Sequence, residues 1–380
     1  MGGQLAVTLT FEFATAGRII AGAGRTAELP QLLAGLGSRL LVCTGADTSR
    51  HAGLLAGLGL PAAVVTVAGE PTVELARTAA AAAREHAADV VVAIGGGSVI
   101  DTGKAVAMLL ANGGDPLDYL EVIGRGQPLG HASAPFIAIP TTAGTGSECQ
   151  SFALIADETT HQKMACGDPK AAARIAILDP LLTLSQPPRV AACTGIDALS
   201  HALETAVTRP RNPISLAYSR QAFRLCWSHF PRMLKRPDDL EARAGMLLGA
   251  ALAGLAIENS MLGAAHAAAN PLSAHFNIVH GQAIGLMLPH VLRFNGRNPA
   301  AARLYASLDS SNADHLAEKL ESLLDLAGLP RSLSQCGVTH SSIPVLAREA
   351  ARQWTAAFNP RPVAAADFAR LFEAAWENTK

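Results

Sequence analysis

Apolar residues in the first half of the chain fall into short runs. Leu40-Leu-Val-Cys-Thr44, Ala63-Val-Val-Thr-Val67, Val90-Val-Val-Ala-Ile94, Phe136-Ile-Ala-Ile139 and Ile175-Ala-Ile-Leu178 are each followed within two residues by Gly, Pro or Asp. Runs of this length with such stops predict buried β-strands. Between them the periodicity is helical: residues 26–36, residues 73–87 with Thr72 as the N-cap, and a segment from Val99 to about Leu110. Residues 5–21 alternate weakly and predict a strand or hairpin, with Gly22 and Gly24 marking a turn. Strand alternating with helix predicts a parallel sheet covered on both faces. After Pro187-Pro188 the pattern changes, and helical periodicity continues to Lys380 without a convincing strand. The boundary falls near residues 185–188. This gives an α/β domain with a parallel sheet over 1–186 and an all-α domain over 187–380.

Two strand ends carry anion-binding chemistry. The run ending at Ile94 leads into Gly95-Gly96-Gly97-Ser98 and then a helix, with Asp101 and Lys104 in its first turns. Glycines let backbone N–H groups approach an anion, and the free N–H groups at a helix start bind phosphate oxygens. The spacing is not G-x-G-x-x-G, since position 100 is Ile. The strand ending at Ile139 leads into Pro140-Thr141-Thr142-Ala-Gly144-Thr145-Gly146-Ser147-Glu148. Two such loops at one sheet edge form a crevice for a dinucleotide.

The helical half carries a candidate metal site. Asp197 and His201 are four apart in an Ala/Leu-rich run, so both leave one helix face. His266 and His280 are fourteen apart, with Pro271 between them expected to break a continuous helix. One carboxylate and three imidazoles suit Fe(II) or Zn(II). Taken singly, a helical Asp/His pair or a lone core histidine is more often bland. The set gains weight from the loops that precede it.

Composition narrows the function. Charged residues are only 16% and the net charge is −1, which leaves no basic stripe for nucleic acid. The aromatic share of 4% supplies no stacking platform for bases. The six cysteines are scattered without a Cys-x-x-Cys, as suits a reducing compartment. Neither a signal peptide nor an uninterrupted membrane-length apolar run is seen, so the expected location is cytoplasmic.

Five ordered motifs resemble the iron-containing (group III) alcohol dehydrogenases: Gly95 to Ala105, Pro140 to Glu148, Asp179-Pro180, Thr194 to Glu204, and the His266…His280-Gly281 block. The resemblance runs from about Phe11 to Asn359-Pro360-Arg361. It implies a dehydroquinate synthase-like architecture, with a Rossmann-like dinucleotide-binding α/β domain over 1–186, a helical metal-binding domain over 187–380 and a cleft between them. It also implies NAD or NADP as cofactor and a divalent metal, Fe(II) foremost and Zn(II) as the alternative. The substrate would be a small alcohol, aldehyde or ketone, and the assembly a homodimer or larger. By position, Asp197, His201, His266 and His280 are the metal ligands. Gly96, Gly97 and Ser98 hold the pyrophosphate, Thr141, Thr142 and Thr145 line the crevice, and Lys163 matches a lysine that contacts the cofactor.

The chain departs from that family's pattern at three places. Asn270 stands where many members have a histidine implicated in proton handling, and His275 is the nearby substitute. Gly45 stands where many NAD-using members carry an acidic residue, which would admit NADP, with Ser49 and Arg50 near its 2′-phosphate. Glu70 replaces a frequent Asn. The expected reaction is hydride transfer between nicotinamide and an alcohol. Rival readings are a maleylacetate reductase or polyol dehydrogenase on the same fold, and a non-catalytic nucleotide- or metal-binding protein.

Overall fold

The computed structural model describes residues 10–121, 124–158, 163–309 and 311–377, excluding the side chains of Lys163 and Met164. Six parallel strands form the main sheet: β1 (Ile19–Ala21), β2 (Leu40–Gly45), β3 (Ala62–Val67), β4 (Val90–Gly95), β5 (Phe136–Pro140) and β8 (Ile175–Leu178). Their order is β1-β8-β5-β4-β2-β3. β4 and β5 are buried at every position, because helices cover both faces of a parallel sheet. A separate antiparallel hairpin pairs β6 (Phe152–Ala156) with β7 (Lys163–Gly167).

In this half the helices are α1 (Leu29–Leu33), α2 (Ala52–Ala56), α3 (Val73–Glu85), α4 (Gly97–Asn112) and α5 (Pro116–Tyr119). Thr72 caps α3 by accepting from the Leu75 N–H at 3.1 Å, as its hydroxyl chemistry predicts. From Pro188 onward all described regular elements are helical: α6 (Pro188–Thr205), α7 (Pro213–Lys235), α8 (Leu240–Glu258), α9 (Ala264–Phe276), α10 (His280–Gly296), α11 (Pro299–Asp309), α12 (Ala313–Leu326), α13 (Ile343–Arg352) and α14 (Ala365–Trp376), with short 3-10 turns between some of them. One core fills this helical half, joined by Ala143, Cys149 and Leu178, and two others line the faces of the sheet. α8 is long and apolar enough to cross a membrane by composition alone, but it is mostly buried as a core helix.

Three expectations need correction. The alternation over 5–21 yields only the short strand Ile19–Ala21. Residues 5–9 lie outside the described residues, and 10–18 have no regular structure. The hairpin β6–β7 was not expected, because its short apolar runs lack a distinguishing turn signal. Its inner face packs on α4, where Ala153, Ile155 and Cys166 meet Ala105 and Met108. Pro271 does not break the chain between the two histidines. It sits inside α9, which runs on to Phe276 and ends at Asn277 in the left-handed region, φ 52°. A proline within a helix forfeits a hydrogen bond, and here the buried packing of α9 holds the helix through it.

Candidate metal and cofactor site

α6 presents Asp197, His201 and Glu204 on one face, at spacings of four and three. The early part of α9 brings His266, and the reversal at Asn277 brings His280 to the first position of α10. The Asp197 Oδ1 atom lies 3.4 Å from His201 Nε2, 3.7 Å from His266 Nε2 and 3.8 Å from His280 Nε2. The His201 and His266 Nε2 atoms are 3.1 Å apart. Ligands about 2.1 Å from a tetrahedral centre stand roughly 3.4 Å from one another, so Asp197, His201 and His266, whose ligand atoms all lie within 4.8 Å of one another, have the spacing of a coordination shell; His280 falls outside that group and approaches it at the Asp197 oxygen. Asp197 Oδ1 is buried without a hydrogen-bond partner, an acceptor that a cation would satisfy. The donor set therefore fits a divalent transition metal.

The far side of two rings is also fixed. His201 Nδ1 lies 3.2 Å from the Gly144 carbonyl, which can only accept, so Nδ1 carries the proton. His266 Nδ1 lies 2.5 Å from Glu204 Oε2, and the other Glu204 oxygen accepts from the Ala265 N–H at 2.8 Å. Both contacts leave Nε2 free to face Asp197. Burial on its own would raise the Asp197 carboxyl, but the three imidazoles hold it well below the ordinary carboxylate range. Burial depresses His266, yet Asp197 and Glu204 outweigh it and bring that ring to about 9. His201 is held below its ordinary value by burial.

The two loops meet at one sheet edge. The Thr141 N–H donates to the Gly95 carbonyl at 2.9 Å. A Cβ on Gly97 would come within 2.7 Å of Thr145 Cγ2, so only glycine allows this approach, and one on Gly96 would touch Thr142. Ser98 lies in the first turn of α4, beside the free N–H groups. Asp101 reaches across to the second loop. It is buried, accepts from Ser147 Oγ at 2.5 Å, and pairs with Lys104 at 3.6 Å. Lys104 is fully buried and donates to the Ser147 carbonyl at 3.0 Å and to the Phe152 carbonyl. These two residues tie the loops together.

Gly45 ends β2, but a carboxylate follows closely. Asp47 accepts from the Ser49 N–H at 3.1 Å and pairs with Arg50 at 3.4 Å, so Ser49 and Arg50 are already engaged. Lys163 opens β7, and its side chain lies outside the described residues. Asn270 sits one turn after His266 and donates to Gln353 Oε1 at 3.0 Å. His275 is not brought to the quartet. It lies nine residues beyond His266, about 13 Å of helix rise, and pairs with Glu349 at an exposed position. Glu204, Gly144 and Gln353 had no role assigned from sequence. Of these only Glu204 carries a readable signal, its helical spacing from Asp197 and His201.

Residues 16–180 match the family profile described as iron-containing alcohol dehydrogenase, and residues 191–376 match the Fe-containing alcohol dehydrogenase family, C-terminal. The chain belongs to the iron-containing alcohol dehydrogenase family. It is an oxidoreductase of that type, and membership implies a metal and a nicotinamide dinucleotide as cofactors and small-molecule alcohols or aldehydes as the substrate class. Long-chain-alcohol dehydrogenase 1 of Geobacillus thermodenitrificans (strain NG80-2) is 35% identical over 322 residues, 82% of this chain and 80% of its own length. The NAD-dependent methanol dehydrogenase of Bacillus methanolicus is 34% identical over 301 residues, 76% and 78% of the two chains. Among solved structures, sulfoacetaldehyde reductase from Bifidobacterium kashiwanohense in complex with NAD+ superposes with a TM-score of 0.90 at 27% identity, covering 97% of this chain and 100% of that one.

Proposed function

We propose that Asp197, His201, His266 and His280 hold one Fe(II) ion, and that the chain interconverts a primary alcohol and its aldehyde with NAD. The observation that carries this reading is the convergence of three imidazole nitrogens, from His201, His266 and His280, on an Asp197 oxygen that has no hydrogen-bond partner. Residues 1–186 are read as the cofactor domain and 187–380 as the metal-binding domain. When bound, the cation supplies Lewis acidity to the substrate oxygen. The protein's own residues do the rest. The Gly144 carbonyl and Glu204 keep His201 and His266 in the tautomer that points Nε2 inward. Gly96, Gly97 and Ser98, with the free N–H groups of α4, receive the pyrophosphate. Thr141, Thr142 and Thr145 border the same crevice, and Lys163 is assigned a cofactor contact on the family resemblance alone. Asn270, held by Gln353, offers an uncharged amide one turn from His266, so no titrating side chain acts there.

NAD is favoured over NADP because Asp47 sets a carboxylate at the end of β2, where it attracts a ribose hydroxyl and repels a 2′-phosphate. The test strips the protein with a chelator under anaerobic conditions and refills it with Fe(II) or Zn(II). Nicotinamide reduction is then followed on a panel of primary alcohols with NAD and NADP side by side. Turnover should return with Fe(II), be faster with NAD, and disappear in Asp197→Ala while NADH binding persists. Full activity after exhaustive chelation, or in Asp197→Ala, overturns the metal reading. Equal or better use of NADP overturns the cofactor reading.

A further inference from the structure

We infer that Glu204 is a positioning residue whose two acceptor oxygens set the tautomer of His266 and thereby the affinity of the quartet for a cation. This rests on the proposed metal reading of Asp197, His201, His266 and His280. Glu204 is 3% exposed and lies one turn beyond His201 on α6. Its two oxygens have separate partners, His266 Nδ1 at 2.5 Å and the Ala265 N–H at 2.8 Å. The second contact caps a helix that has no cap of its own. Gly263 precedes α9 without a side-chain cap, and the first N–H groups of a helix lack intrahelical acceptors. Gly263 also leaves room for the carboxylate, since a Cβ there would stand 3.0 Å from Glu204 Oε1. One side chain thus fixes both the start of α9 and the ring that α9 carries.

An ionised carboxylate can only accept, and both of its neighbours are donors when His266 carries its proton on Nδ1. A glutamine at this position has one acceptor and one donor end. If its oxygen takes the Ala265 N–H, its amide faces His266 Nδ1 and drives the ring proton to Nε2, where it blocks coordination. If its oxygen takes His266 Nδ1–H, its amide faces the Ala265 N–H and two donors collide at the helix start. The neutral isostere therefore weakens the metal site in either orientation. Substitution of such outer partners typically costs roughly 10–100-fold in metal affinity.

The experiment titrates metal-free protein with Co(II) against a chromophoric chelator, in wild type and Glu204→Gln, with NADH binding measured on the same samples. Glu204→Gln should bind Co(II) roughly 10–100-fold more weakly, show an altered visible Co(II) spectrum at saturation, and bind NADH as wild type does. Equal Co(II) affinity in the two proteins, with NADH binding intact, overturns the inference and leaves the quartet standing. Failure of wild type to bind Co(II) overturns the metal reading itself. Should Glu204→Gln lose NADH binding through misfolding, Glu204→Asp is read instead. Its carboxylate is one methylene short of His266, so Co(II) affinity should again fall, and wild-type affinity there overturns the inference.

Discussion

A single methyl group added to α8 tests how the two halves of the molecule are joined. A Cβ on Gly254 would stand 2.3 Å from the Gly146 carbonyl oxygen, 2.9 Å from its carbon and 3.0 Å from its Cα. All three are backbone atoms, so no side chain can rotate out of the way. Gly146 is itself at φ 63°, and a Cβ on it would meet Ala250 O at 2.5 Å. On an open helix, glycine to alanine gains about 1 kcal/mol of helix propensity. Here the helix and loop must part by about 1 Å to restore ordinary contact, and overpacking of that kind costs ~1–3 kcal/mol. Net of the propensity gain, Gly254→Ala should therefore lose up to roughly 2 kcal/mol by urea denaturation. Gly53, exposed in α2 with open space around it, is the control, and Gly53→Ala should be neutral or gain up to about 1 kcal/mol. The displaced loop also carries Thr145, which abuts Gly97, and Gly144, whose carbonyl holds His201. Loss of one such loop hydrogen bond, ~1 kcal/mol, predicts NADH binding about fivefold weaker. A Gly254→Ala protein as stable as wild type, with unchanged NADH affinity, would refute the claim that this crossing sets the loop.

Two further outcomes follow from groups beside the site. Burial raises the Glu148 carboxyl from 4.5 to about 7, against the opposing charge of Lys104. The folded state then keeps a proton between those values that the unfolded chain has released, so stability falls as pH rises through that window and levels off above it. Glu148→Gln should match wild type near pH 4.5 and exceed it by about 3 kcal/mol at pH 8, at 1.36 kcal/mol per unit; a gap that is the same at both pH values contradicts this. Asn270→His places a titrating ring one turn from His266 and should add a new limb to the pH–rate profile. An identical profile would remove that position from the proton route.

Much of the α/β half was legible because a parallel sheet buried on both faces forces uninterrupted apolar strands, and those strands announce themselves. Val90 to Ile94 and Phe136 to Ile139 are such cases, as are the glycine and threonine loops that follow them. The candidate ligands were readable as types and spacings, but their meeting was not, since it depends on the reversal at Asn277 and on α9 surviving Pro271. Contacts set by partners far along the chain were not legible. Asp101 and Lys104 stand in the first turns of α4, yet Ser147, more than forty positions later, claims both. His275 resembled a relay by proximity in sequence, whereas helix rise carries it to Glu349 at the surface.

The charge arrangement argues for function over stability at this centre. Asp197 and Glu204 are buried at 4% and 3% exposure, and among the described residues neither has a Lys or Arg partner. Their surroundings on α6 and α9 are alanines and leucines such as Ala198, Ala202 and Ala267, all fully buried. A buried ion cluster commonly stabilises no more than apolar residues of the same volume, so packing alone gives no reason for two carboxylates here. Without metal, the protein balances them with protons, most visibly on His266, which is held at about 9. A divalent cation would cancel both negative charges and satisfy the orphaned Asp197 oxygen at once. The residues that an alanine-rich core least accommodates are thus the ones a cation would make electrically neutral, and His201 among their partners is held by the Gly144 carbonyl of the threonine and glycine loop.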